Sequence, residues 1–224
     1  EYAENNVMGA GPGFTLFLLC QPQRMLTSCL YSTLQSWKEK NANIYNEDIE
    51  NIDEEKLPSD FMRAIYDKIS KFKYEKELLR NDTKFERLLE TIKDMQAKYP
   101  DEKIVLFSSF IPTLEYLHTR LHEHNIDSIL LTGKVKSKDE VLSKFQKDEN
   151  IKILLASEVG SEGVDLQFCR LLINYDLPWN PMRVEQRIGR LDRIGQKSDK
   201  ILIWNLFHDS TIDARIYEKL YTKF

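Results

Sequence analysis

From residue 103 onward, short apolar runs alternate with stretches whose apolar residues recur every three to four positions. Ile104–Ser108, Ser128–Leu131, Lys152–Ala156, Leu171–Tyr175 and Ile201–Leu206 are strand-length runs with little polar alternation. Leu114, Leu117 and Leu121, then Val141, Leu142 and Phe145, fall at helical spacing between them. Further helices are expected over about 181–194 and from about 211. Strands that are apolar throughout are buried on both faces, as in a parallel sheet covered by helices. The pattern therefore predicts a doubly wound α/β domain with right-handed crossovers. Ligands of such sheets bind beyond the carboxyl ends of the strands. The segments Ser108-Ser109, Thr132-Gly133, Ser157 and Pro178-Trp179 are expected at that edge.

The first hundred residues lack this alternation. Met25, Leu26, Cys29, Leu30, Leu34 and Trp37 predict an amphipathic helix over 22–40. Residues 46–60 read as an exposed acidic linker, and Asp60 as the N-cap of a helix carrying Met62, Ile65 and Ile69. Phe85, Leu88, Leu89, Ile92 and Met95 form a third stripe, starting after Asn81-Asp82-Thr83 and stopping before Tyr99-Pro100. The expected organisation is a helical extension and linker over 1–100, followed by the α/β domain over 101–224.

Composition narrows the class. With 42% hydrophobic residues and only 8 Gly and 7 Pro in 224, disordered and collagen-like chains are excluded. The apolar run Phe14–Cys20 is far short of the ~20 residues a spanning helix needs, and Glu1 and Glu4 precede it where a signal peptide is basic. Three widely spaced cysteines fit a reduced, intracellular protein, cytoplasmic if bacterial, with no membrane partner. A net charge of −4 argues against a nucleic-acid partner only if it is evenly spread. Residues 47–60 hold seven acids and one Lys, whereas 183–200 hold six Lys or Arg and three acids.

That basic stretch carries most of the candidate chemistry. In Asn180–Gln196 (NPMRVEQRIGRLDRIGQ), Asn180 can cap a helix, Pro181 can open it and Gly195 can end it. Val184, Ile188 and Leu191 make a burial stripe; Arg183, Gln186, Arg187, Arg190 and Arg193 fall outside it. A solvated basic face is the plain alternative, and for Arg187 a surface or intrachain salt bridge fits as well as a ligand role. Arginine outnumbers lysine here, which suits bidentate phosphate contacts. Gly189 inside the helix costs roughly 0.5–1 kcal/mol relative to Ala, which suits a place where something approaches the backbone closely.

Gln186–Gln196 (QRIGRLDRIGQ) resembles motif VI of superfamily-2 helicases in its Swi/Snf-type form. Ile104–Phe110 (IVLFSSF) resembles motif IV, Ala156–Leu166 (ASEVGSEGVDL) motif V, and Asp176–Pro181 (DLPWNP) the run before motif VI, all in family order. The combination is most similar to the RapA/HepA-like bacterial branch. The resemblance implies a RecA-like doubly wound parallel sheet with helices on both faces, plus an N-terminal helical extension. It also implies ATP and Mg²⁺ held mainly by an N-terminal lobe of the same polypeptide. No G-x-x-x-x-G-K-[ST] run occurs, so this chain is expected to be the C-terminal lobe alone and inactive by itself. By resemblance, Arg190 and Arg193 are arginine fingers, and Gln186, Gly163 and Asp165 lie at the ATP site. Ser109, Thr132, Gly133 and Ser157 are expected on the backbone of DNA, double-stranded in this family. Asp165 replaces the Asn of many Swi/Snf members, and Lys134–Glu140 lacks an Arg common in relatives.

Other signals are weaker. His118, His122 and His124 lack a fourth ligand pattern, so no metal site is assigned. Trp179 packs or stacks on a base. Gly9–Gly13 follows no strand and is no dinucleotide fingerprint, and Asp53–Lys56 belongs to the linker. A non-enzymatic lobe that serves as a nucleic-acid or protein docking module is the rival class.

Overall fold

The computed structural model describes residues 22–39, 73, 75–178, 180–209 and 211–221. The expected acidic linker, the helix after Asp60, Phe14–Cys20, Gly9–Gly13 and Trp179 lie outside them. Residues 22–28 are helical and lead past Cys29 into α1 (Leu30–Glu39). Met25, Cys29, Leu34 and Trp37 of the expected stripe are buried, while Leu30 is 41% exposed. A short helix the periodicity did not announce, α2 (Glu75–Arg80), precedes α3 (Thr83–Lys98). Asp82 caps α3 by accepting from the Phe85 amide at 3.0 Å, and Phe85, Leu88, Ile92 and Met95 are buried.

The rest alternates strand and helix: β1 (Ile104–Phe107), α4 (Ile111–Glu123), β2 (Ser128–Leu131), α5 (Lys138–Lys147), β3 (Ile153–Ala156), α6 (Glu158–Ser161), β4 (Leu171–Asn174), α7 (Pro181–Leu191), β5 (Leu202–Asn205) and α8 (Ile212–Tyr221). The five strands form one parallel sheet in the order β2-β3-β1-β4-β5. β1, β3 and β4 are buried at every position, whereas the edge strands β2 and β5 are mostly half-buried.

Period-two alternation divides the core in two. Ile104, Leu106, Ile153, Leu155, Leu171 and Ile173 face α3 and α4. Val105, Phe107, Leu154, Ala156 and Leu172 face Phe145 of α5 and Leu191 of α7. Helices thus cover both faces. The division expected at residue 100 falls between α3 and β1, and packing runs across it: Cys29, Phe85, Leu88 and Ile92 share one cluster with the sheet. The loops after β1, β2, β3 and β4 gather at the carboxyl edge. Gly160 lets two of them meet, because a Cβ there would run into the Leu131 carbonyl at the end of β2.

Candidate functional site

Helix α7 organises the carboxyl edge. The Asn180 side chain accepts from the Met182 amide at 3.0 Å and Pro181 opens the first turn, as their residue types dictate. The helix ends at Leu191, three residues short of the expected 194, so Gly195 is not its cap. Asp192 is the C-cap, and the Gln196 side chain donates to the carbonyls of Leu191 (3.1 Å) and Cys169 (2.8 Å). That pair of hydrogen bonds folds the arm after α7 back on the sheet, where Gly195 turns with φ +111°.

Arg187 corrects the expected burial stripe. It is only 2% exposed, more buried than Val184 or Ile188. The reason is spacing: position 187 is three residues after Val184 and four before Leu191, on the core-facing side. The side chain is saturated there. Its Nη1 donates to Asn174 Oδ1 (2.7 Å) and the Asp176 carbonyl (2.8 Å). Its Nε and Nη2 both donate to Glu158 Oε1, and Nη2 reaches Ser109 Oγ at 3.4 Å. The guanidinium carbon lies 5.3 Å from the centre of the Phe107 ring. One arginine therefore joins α7 to the loops after β1 and β3 and to the end of β4.

Asp176 is the second centre. It is 1% exposed and accepts from Ser28 Oγ (2.8 Å), Ser108 Oγ and the Ser109 amide (2.8 Å), with Arg187 Nη2 at 3.8 Å. Burial pushes its pKa up, but Arg187, the Ser108 hydroxyl, Lys84 and the Ser109 amide together outweigh that and hold it below the usual carboxylate range. Since Ser28 gives its proton to Asp176, the 3.1 Å contact with Thr113 has Thr113 donating. Beyond it lie Lys84 and Asp213. Lys84 Nζ donates to the Thr27 carbonyl at 2.9 Å, and its pKa is lowered by burial against the pull of Asp213 and Asp176. Asp213 accepts from Thr27 Oγ1 at 3.2 Å, and burial raises its pKa.

The expected nucleic-acid residues separate by exposure. Ser109 is 2% exposed, with its amide on Asp176 and its hydroxyl near Arg187. Ser157 is 1% exposed and caps α6 by accepting from the Gly160 amide at 3.0 Å. Thr132 is buried, and its Oγ1 accepts from the Lys134 amide, while Gly133 is exposed. Within Lys134–Glu140, Lys138 is a local clamp, donating to the carbonyls of Val159 (2.8 Å) and Glu162 (3.2 Å).

The expected nucleotide residues face outward. Gly163 is exposed at φ +74°, a conformation glycine adopts without strain. Asp165 is exposed and accepts from the Gln167 amide. The Leu166 amide donates to the Arg190 carbonyl at 2.9 Å, tying this loop to α7. Gln186 and Arg193 are exposed and Arg190 is half-exposed. Arg193 Nε donates to the Gly189 carbonyl at 3.1 Å. No described helix is long and apolar enough to cross a membrane. Among the described residues no group of three His, Cys, Asp or Glu is placed to hold a metal.

Glu158, Asn174, Ser28, Lys84 and Asp213 were not singled out beforehand. Asn174 and Asp176 carried a usable signal, being polar residues at and just beyond the end of an apolar strand. Ser28 and Asp213 carried none, since only the fold brings residues 28 and 213 to residue 176.

Residues 83–195, half of the chain, match the family model described as the helicase conserved C-terminal domain. The chain is 42% identical over 125 residues to the uncharacterized ATP-dependent helicase YqhH of Bacillus subtilis, covering 55% of this chain and 22% of that protein. It is 36% identical over 122 residues to the RNA polymerase-associated protein RapA of Vibrio campbellii, covering 53% of this chain and 12% of that one. The chain thus spans about a fifth or less of these relatives. The C-terminal part of the Fun30 ATPase domain shares the fold with TM-score 0.57 at 21% identity, over 81% of this chain and 62% of that one. The Pyrococcus furiosus Hef helicase domain does so with TM-score 0.54 at 21% identity, over 85% and 38%. The chain belongs to the helicase conserved C-terminal domain family, as a RecA-like C-terminal lobe of the superfamily-2, Swi/Snf type.

Proposed function

We propose that this chain is the C-terminal lobe of an ATP-dependent DNA helicase or translocase. In this reading it supplies Arg190 and Arg193 to ATP and Mg²⁺ held mainly by the N-terminal lobe of the same polypeptide. One observation carries it: Arg187 is committed to the core, which pins α7 while Gln186 and Arg190 remain on its outer side and Arg193 stands exposed just beyond its end. Those three supply only amide and guanidinium groups, which suits phosphate oxygens and not a cation. ATP would supply the phosphoryl group whose transfer to water drives the motor. Arg190 and Arg193 neutralise charge on the departing phosphate, a role worth about 10³–10⁵ in rate for arginine fingers. Gln186 orients a phosphate oxygen or a finger, and Gly163 and Asp165 line the sugar end, held to α7 by the Leu166–Arg190 bond.

DNA contact belongs to the edge after β1, β2 and β3. The exposed Gly133 turn, with Thr132, meets backbone phosphates. Buried Ser109 and Ser157 shape the neighbouring loops by fixing the turn after β1 and the start of α6. Residues 101–224 carry 18 Lys and Arg against 19 Asp and Glu, so affinity of this lobe for DNA is modest and falls with salt.

The test uses the full-length protein. Arg190→Ala and Arg193→Ala should each abolish DNA-stimulated ATP turnover and leave DNA affinity within about threefold. Equal loss of turnover and affinity would assign these arginines to DNA instead. Turnover by residues 1–224 alone would end the two-lobe reading.

A further inference from the structure

A groove of about 390 Å³ lies between α1, α2 and α4, and none of its lining residues takes part in the function proposed above. Small side chains hold it open. Ser32 and Ser36 stand one turn apart on α1, are themselves buried, and form the wall opposite α4. Leu79 of α2 and the rings of Tyr31 and Tyr116, 5.6 Å apart between centres, make the apolar part of the lining. The rim along α4 is charged. Glu115, Thr119 and Glu123 follow one another at four-residue steps on one line of the helix, and all three are exposed. Glu115 has no ion-pair partner among the described residues. Arg120 is the cation in the lining, and its charge is already engaged. Its Nη1 lies 3.5 Å from Glu123 Oε2, and its guanidinium carbon 4.8 Å from the centre of the Phe85 ring. Two carboxylates against one guanidinium leave the groove with a net charge of −1.

We infer that this groove docks an extended, basic segment of a partner protein, with two Lys or Arg side chains four residues apart. Charge complementarity selects the occupant. Carboxylates on the rim repel the phosphates of a nucleic acid and attract ammonium or guanidinium groups. Spacing selects its shape. Glu115 and Glu123 are eight residues apart on α4, a rise of about 12 Å. Four residues of extended chain advance about 13 Å, and an even step puts both basic side chains on the same face. Their aliphatic stems lie along Leu79 and the tyrosine rings while their charged ends reach the rim. The small Ser32 and Ser36 leave room for the backbone of the segment. Glu115 contributes more than Glu123, which already shares its charge with Arg120. This surface is separate from the ATP and DNA residues, so the inference stands or falls independently of them.

The test titrates the full-length protein with labelled peptides carrying two lysines four residues apart in a serine and threonine background, read by fluorescence anisotropy. Matched peptides carry the lysines on neighbouring positions, or glutamates in place of the lysines. The four-residue spacing should bind tightest and the glutamate peptide not at all. Glu115→Gln should weaken binding about two- to fivefold, the range of an exposed ion pair. Thr119→Arg, which places bulk and positive charge between the two carboxylates, should abolish it. Both positions are exposed, so both variants should keep DNA-stimulated ATP turnover within about twofold of wild type. Equal affinity for the lysine and glutamate peptides overturns the inference, and so does affinity that neither variant changes. Indifference to lysine spacing overturns the two-point docking. A fall in DNA affinity in Thr119→Arg, despite its added positive charge, overturns it by giving this face to nucleic acid.

Discussion

The Arg187 guanidinium sits between Glu158 and Asp176, and its burial makes either pairing expensive to break. Removing one partner of a buried pair leaves the other charge uncompensated, a loss of about 3–5 kcal/mol. Arg187→Met is expected to cost that much in urea unfolding. Asp176 adds a pH signature. Its folded pKa lies below the unfolded value of about 3.9. Its contribution is therefore whole above pH ~3.9 and is lost as pH falls below that toward the folded pKa. The stability gap between wild type and Asp176→Asn should be constant above pH 5 and shrink below pH 4. A gap that does not change with pH would show that the carboxylate is not preferentially charged in the fold. Asp213, raised by burial, acts in the opposite sense as pH climbs through its window, so Asp213→Asn should gain relative stability toward neutral pH. Arg187 was misplaced by residue type: an arginine reads as surface, while the spacing to Val184 and Leu191 places it inside.

At the scale of elements, the hydrophobic pattern was legible wherever both faces of an element are buried or one face is clearly apolar. All five strands lie where continuous apolar runs predicted them, Ser128–Leu131 unchanged and the other four trimmed to four residues each. Asp82 marks the start of α3, and its second oxygen accepts from the Tyr116 hydroxyl at 2.8 Å. Asp82→Ala should therefore cost about 1–3 kcal/mol, a cap plus a buried hydroxyl left unpaired. Asp82→Asn keeps an acceptor for the amide and should cost less; equal losses would show that the cap is not what Asp82 contributes. The end of α7 was misjudged because its terminator is a long-range bond: Gln196 closes the Leu191 and Cys169 carbonyls. Glycine at 195 marks a turn in the arm, not the last helical residue. α2 is too short for periodicity to register.

For the whole molecule, the polar network and the core both cross residue 100. Ser28 donates to Asp176, Arg24 to the Leu177 carbonyl at 3.3 Å, and Lys84 lies 4.7 Å above the Tyr175 ring. Trp37 of α1 is buried, and Trp204 of β5 packs against the cluster that includes Cys29. Variants that retain only Trp37 or only Trp204 should report the same urea midpoint. An earlier transition at Trp37 would show that α1 unfolds as a unit of its own. By itself the sequence determined the α/β class, the parallel sheet, the order of the motifs and the edge where the polar loops gather. Each of these follows from local periodicity and residue type. Only the tertiary structure decided which polar side chains serve the fold and which face outward. Arg187, Ser109 and Ser157 became internal, and Gln186, Arg190, Arg193 and Gly189 were left on the open side. The reason is that burial of a polar group depends on partners distant in sequence. Asp176 needs Ser28, Ser108 and Arg187 around it, and only chain closure brings them together.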